Sequence, residues 1–171
     1  LLVSVWSVRR SWMSPLGGSR KTSLSASKAR SARAAALRGE VPVGAVVTRG
    51  NDVIGRGGNR TRELNDPTAH AEVDAIRDAC RKAGVSDLAG AVCYTTMEPC
   101  PMCCWAIEAA GCAGLGMGAR HGDFSGSGVR DYKNYSVEAM IASTGASYTV
   151  VTGVEHETCR RERQAWLDAN K

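Results

Sequence analysis

Two short segments constrain this chain more than anything else in it: His70-Ala71-Glu72 and Pro99-Cys100-Pro101-Met102-Cys103. Cys100 and Cys103 are spaced i, i+3 around a proline that opens a helix, so both sulfurs fall on one face of its first turn. A helix N-terminus favours negative charge and so supports the thiolates that a metal binds. Asp66-Pro67 signals the start of an earlier helix, with apolar residues recurring at Val73, Ile76, Cys80 and Ala83 and with His70 at its mouth. A fold that uses both segments must bring two helix starts to one point. One nitrogen and two sulfurs suit tetrahedral zinc, and three protein ligands leave the fourth position to water, as in a catalytic rather than a structural site.

Glu72 extends this logic. Residues i and i+2 of a helix point about 200° apart, so Glu72 is not expected to ligate beside His70. Its carboxylate can instead take a proton from a zinc-held water, whose pKa falls to about 7 in favourable sites, and pass it to a leaving amine. A Cys-x-x-Cys alone fits structural zinc or redox chemistry as well; the His-x-Glu upstream and the strand–helix context turn the reading to catalysis. Cys104 is expected to pack away from the metal, and Cys80, Cys93 and Cys112 to behave as small core hydrophobes. Cys159 carries no assigned role. His121 and His156 have no Cys or carboxylate at ligand spacing and read as surface or structural residues.

The rest of the chain supplies the frame. Residues 23–37 are alanine-rich and helix-prone. Val41 to Thr48 is a valine-rich strand, Arg49 to Asp52 a turn, and Val53 and Ile54 resume a strand, which makes a hairpin. After the helix from Asp66 come a short buried strand (Ala91 to Thr96), the helix opened by Pro101 and ended by Gly111, and a strand around Leu115 and Met117. A glycine-rich loop (122–128), a short helix (Val137 to Ala142), a strand (Tyr148 to Val151) and a terminal helix (His156 to Ala169) complete it. Strands alternating with helices indicate a parallel or mixed sheet covered on both faces.

At 171 residues the chain fits one domain with its own core. No apolar run approaches the roughly 18 residues of a membrane span. Eight of the 22 Lys and Arg, and none of the 17 Asp and Glu, precede Glu40, so the net charge of +5 becomes −3 from Glu40 onward. That balance weighs against a polynucleotide partner. Seven unevenly spaced cysteines argue against a disulfide framework and for a reducing compartment, here the cytoplasm. Residues 1–22 are Ser- and Arg-rich and free of acid. They read as an N-terminal extension with little structure, either a mis-assigned start or an organellar transit peptide, with the domain proper over 23–171.

With these motifs in place, the chain resembles the zinc-dependent cytidine/cytosine deaminase superfamily, which carries H-x-E followed by P-C-x-x-C. Within it the resemblance is to the branch of guanine deaminase, cytosine deaminase and tRNA adenosine deaminase, through Glu40-Val41-Pro42-Val43-Gly44-Ala45-Val46, Asp66 to Glu72 and Glu98 to Cys103. It spans roughly residues 24–171 and is strongest over 40–120. It implies a three-layer α/β/α sandwich around a mixed five-stranded sheet, and a homodimer. It also implies zinc held by His70, Cys100 and Cys103 with Glu72 as the catalytic acid/base. Substrate contacts follow by motif: the Asn59 side chain, the Ala71 N–H and the Glu98 carbonyl. Phe124 resembles a stacking aromatic, and Trp166 and Asp168 a C-terminal pair that closes the pocket, although their spacing differs by one residue.

Departures from the branch guide the substrate reading. Gly118-Ala119-Arg120 runs into His121-Gly122-Asp123-Phe124, where tRNA deaminases resemble one another in a Lys-Thr-Gly segment and guanine deaminases in Gly-Phe-Asp-Asp. The sequence therefore points first to hydrolytic deamination of a small free base, cytosine- or guanine-like. A tRNA adenosine deaminase and a non-catalytic zinc scaffold are the alternatives.

Overall fold

The computed structural model describes residues 18–127, 129, 132–146 and 148–171; most of the expected N-terminal extension, residues 1–17, lies outside them. The first helix, α1 (Gly18–Leu37), begins ahead of the expected Ser23. The valine-rich run forms β1 (Gly44–Arg49) and turns back into β2 (Asp52–Gly58). They pair antiparallel, with a register shift between Val47 and Thr48.

Helix α2 (Ala71–Ala83), β3 (Ala91–Met97), α3 (Pro101–Ala109) and β4 (Gly114–Ala119) follow. A 3₁₀ turn (His121–Phe124), α4 (Val137–Thr144), β5 (Thr149–Val151) and α5 (His156–Ala169) end the chain. The sheet order is β2-β1-β3-β4-β5, with β1 antiparallel to β3 and with β3, β4 and β5 parallel. This is the mixed five-stranded sheet of an α/β fold.

Alternating residues of the sheet serve two faces. Gly55 and Gly57 of β2 lie against α2; a Cβ on Gly57 would come within 2.2 Å of Ala75 N and 2.3 Å of Ala71 O. Only glycine lets α2 press so closely on the strand, and this contact fixes the height of its first turn. On the opposite face Gly44 lies against α1, and Gly118 against Cys159 of α5. Helices α1 and α5 thus share one face. Lys28 Nζ donates to Val154 O at 2.7 Å, and Arg33 pairs with Glu162 at 2.6 Å. The main core, with Val47, Ala75, Leu88, Cys93, Ile107 and Leu115 buried, lies between the sheet and α2 and α3. Cys93, Cys104 and Cys112 are buried there as expected, and Cys159 belongs to a second, smaller core.

One helix start differs from the sequence reading. Asp66-Pro67 opens a turn, and α2 begins only at Ala71. Asp66 Oδ1 accepts from the Thr68 N–H at 2.8 Å and from its hydroxyl at 2.6 Å, and Ala69 O accepts from Arg60 N at 2.9 Å. These local bonds satisfy the backbone outside a helix, so His70 rather than Asp66 takes the N-cap position.

Candidate metal centre and cavity

The carboxyl ends of the parallel strands β3 and β4 open onto the N-termini of α2 and α3, where a ligand site is expected in an α/β sheet. His70 is the N-cap of α2, and Cys100 is the N-cap of α3 with Pro101 at its first position. His70 Nδ1 lies 3.6 Å from Cys100 Sγ and 3.5 Å from Cys103 Sγ, and the two sulfurs are 3.6 Å apart. Tetrahedral zinc with bonds of about 2.0 Å to N and 2.3 Å to S requires N–S edges of about 3.6 Å and an S–S edge of about 3.8 Å. The three residues are positioned to bind such an ion.

The charges agree with that geometry. The hydrogen bond from Cys103 pulls the Cys100 thiol down to about 4, with help from His70, while the same bond and burial push Cys103 up. A divalent cation between the two sulfurs would favour both as thiolates.

Glu72, in the first turn of α2, is 3% exposed, and its Oε1 accepts from Thr95 Oγ1 of β3 at 2.8 Å. Burial raises its pKa despite that hydrogen bond. It lines a cavity of about 260 Å³ together with His70, Ala71, Cys100, Asn59, Glu98 and Met97. Ala71 is the first residue of α2, so its N–H has no acceptor within the helix and is a ready donor. The Glu98 carboxylate accepts from His121 N at 3.1 Å and Val137 N at 3.3 Å, which ties the end of β3 to the segments after β4.

Asn59 is positioned by a residue that the sequence reading left without a role. Glu40 is fully buried and its carboxylate accepts from Asn59 Nδ2 at 2.9 Å, from Arg62 N and Glu63 N at 2.8 Å each, and from Thr61 Oγ1 at 3.3 Å. Burial opposes its ionisation, yet these bonds hold its pKa below the ordinary value. Because the carboxylate only accepts, the Asn59 amide nitrogen faces Glu40 and Oδ1 is left as its acceptor.

The far wall differs from expectation. Phe124 is 2% exposed and packs with Met97, Ala119 and Cys159 in the second core rather than lining the cavity. Asp168 is exposed, pairing with Lys171 at 2.9 Å and accepting from Gln164 at 3.1 Å. Trp166 does not line the cavity either; its ring lies under the Arg163 guanidinium, 5.0 Å away. The wall is made instead by Arg163, His121, Tyr132 and Val129. The His121 and Tyr132 rings meet edge to face at 4.9 Å. Nε and Nη1 of Arg163 are buried with no hydrogen-bond partner among the described residues, and burial pulls the guanidinium down to about 10. One sequence signal points to Arg163: it follows Cys159 at i+4, and Cys159 is buried against Gly118.

The model of the cytidine and deoxycytidylate deaminase zinc-binding region matches residues 19–118, which contain all three ligands and Glu72. The chain belongs to this family. It is 52% identical over 101 residues to a tRNA-specific adenosine deaminase of Agrobacterium fabrum, a match covering 58% of this chain and 66% of that protein, just under two thirds of its length. It is 38% identical over 132 residues to the guanine deaminase of Bacillus subtilis, covering 76% of this chain and 83% of that protein. A solved structure from work on A-to-I editing by tRNA:A34 deaminases superposes with a TM-score of 0.70 at 39% identity, covering 83% of this chain and 99% of that one. Zinc is thus the cofactor of the family, and His70, Cys100 and Cys103 are placed to hold it. No helix among the described residues is long and apolar enough to cross a membrane.

Proposed function

We propose that the protein hydrolytically deaminates adenosine in tRNA. The observation that carries the deamination is buried Glu72 beside the three ligand atoms at the floor of the cavity. When bound, zinc supplies an acidified water. Glu72, whose proton affinity is raised by burial, takes a proton from that water and passes it to the departing amine. Thr95 holds the carboxylate in place. Asn59 and the Ala71 N–H, which line the same cavity, orient the ring, and Glu98 closes the end of β3.

The RNA part of the reading is supported by the 52% identity to a tRNA-specific adenosine deaminase, and it displaces the free base to which the −3 balance pointed. A second reading, deamination of free guanine, is favoured by the guanine deaminase match, which extends further along the chain. The two are separated by kcat/KM for an anticodon stem–loop RNA with one target adenosine against kcat/KM for guanine, each over a salt series. Preference for the RNA, falling steeply with salt, is the expected result. Preference for guanine moves the function to the second reading, and turnover of neither by zinc-loaded protein overturns both.

A further inference from the structure

We infer that Glu40 is a positioning residue for the deamination site. With Thr61 it takes both amide protons of Asn59, so that Asn59 offers the cavity an acceptor and no donor. The inference rests on the reading of this cavity as the deamination site and names a residue that serves it from behind, since Glu40 is not among the residues that line the cavity.

The direction of the network is set at its far end. Glu40 Oε1 accepts from the backbone N–H of Arg62 and of Glu63, each at 2.8 Å. A backbone N–H can only donate, so that end of the side chain must be an acceptor. Oε2 turns to Asn59 Nδ2 at 2.9 Å and to Thr61 Oγ1 at 3.3 Å. Having given its proton to Glu40, the Thr61 hydroxyl accepts from Asn59 Nδ2 at 3.0 Å. Each proton on Nδ2 thus has its own acceptor, and the three side chains close a ring of hydrogen bonds.

Burial makes that direction hard to reverse. Glu40 is fully buried, and Asn59 is 5% exposed. Turning the amide over would set Oδ1 against a carboxylate oxygen and leave two buried acceptors face to face. The backbone is held as well, because Asn59 N donates to Val43 O at 3.1 Å.

The same logic fixes what a change of one heavy atom does. In Glu40→Gln the two backbone N–H groups hold the glutamine oxygen where Oε1 was, which puts the glutamine NH2 against Asn59. Asn59 must then turn its oxygen to that donor and its Nδ2 to the cavity. Adding Asn59→Asp exchanges the amide and the carboxylate across the same contact. One carboxylate oxygen then accepts from the glutamine, and the other faces the cavity, so the acceptor is restored by two changes that are each harmful alone.

The test uses zinc-loaded full-length chain and the anticodon stem–loop RNA. Glu40→Gln is expected to keep one zinc per chain and to lose about 10- to 100-fold in kcat/KM. Asn59→Asp alone, which sets two carboxylates against each other, should lose at least as much. The exchanged pair should regain about tenfold or more over either single variant. Glu40→Gln added to Asn59→Ala should lower kcat/KM by less than about threefold, since a residue that acts through Asn59 has nothing left to position. Equal losses in the wild-type and Asn59→Ala backgrounds, or no recovery in the exchanged pair, overturn the inference and leave Glu40 with a structural role alone. A further measurement needs neither turnover nor a folded variant at Glu40. Proton exchange of the Asn59 side-chain amide is read by NMR in the wild type, its signals assigned by their absence from Asn59→Asp. Slow exchange of both protons is expected, and rapid exchange of either overturns the inference. Slow exchange in a wild type that releases ammonia from neither the RNA nor guanine would leave the Asn59 orientation standing and remove the deamination reading.

Discussion

His70, Glu72, Cys100 and Cys103 all sit at or within one turn of a helix start, whereas the wall facing them comes from a 3₁₀ turn, the segment after it and the middle of α5. The first region lies within the stretch matched to the family, and the second, from His121 to Arg163, lies beyond it. On the floor, His70 and Cys100 are placed as the N-caps of their own helices, and Glu72 one residue into the first turn of α2, where Thr95 of β3 holds it. On the wall, a side chain reaches the cavity only through the rotation of a helix and the course of a loop. The potential metal ligands thus sit on helix starts, and the facing wall on positions set by tertiary packing.

This contrast can be broken most forcefully at the floor. Cys100→Ala should lose stoichiometric zinc and lower the melting temperature together, because a bound ion ties the two helix starts to one another; metal analysis showing one zinc per chain would remove Cys100 from the ligand set. Glu72→Ala should keep zinc and lose about 10²- to 10⁴-fold in kcat. On the wall, Phe124→Leu should cost about 1 kcal/mol of stability by denaturant titration and leave KM unchanged, since Phe124 fills the second core. A rise in KM there would return it to the cavity.

The smallest effect is one of pH. The hydrogen bond to Asp123 Oδ2, at 2.8 Å, raises the pKa of His156 and ties α5 to the 3₁₀ turn. Its contribution is complete below the unfolded value and fades as pH rises through the folded one. Wild-type melting temperature should therefore decline slightly across neutral and mildly alkaline pH, relative to His156→Gln.

Much of the floor was legible in the sequence because residue type and spacing alone define it. The i, i+3 cysteines behind Pro101 and the His-x-Glu pair need no knowledge of the rest of the fold. The strands and α5 were equally plain from their patterns. The start of α2 was not: Asp66 reads equally as a helix cap and as the head of a turn, and only the Arg60–Ala69 pairing decides between them. The place of Phe124 was not legible, because an aromatic after β4 can enter either the cavity or the core. Its apolar surface is buried best against Met97, Ala119 and Cys159. Arg163 was overlooked because a cation in a charged helix ordinarily faces water; Cys159 packing against Gly118 turns that face of α5 inward. Glu40 carried no pattern, since its four partners are spread over Asn59 to Glu63.

Hydrolytic deamination at this floor would need Glu72 as the proton carrier. The most direct test measures zinc content and ammonia release on the same preparations of wild type and Glu72→Ala, with the anticodon stem–loop RNA as substrate. Equal zinc in both, with release from wild type alone, is the expected result. Ammonia release by Glu72→Ala at the wild-type rate would contradict it.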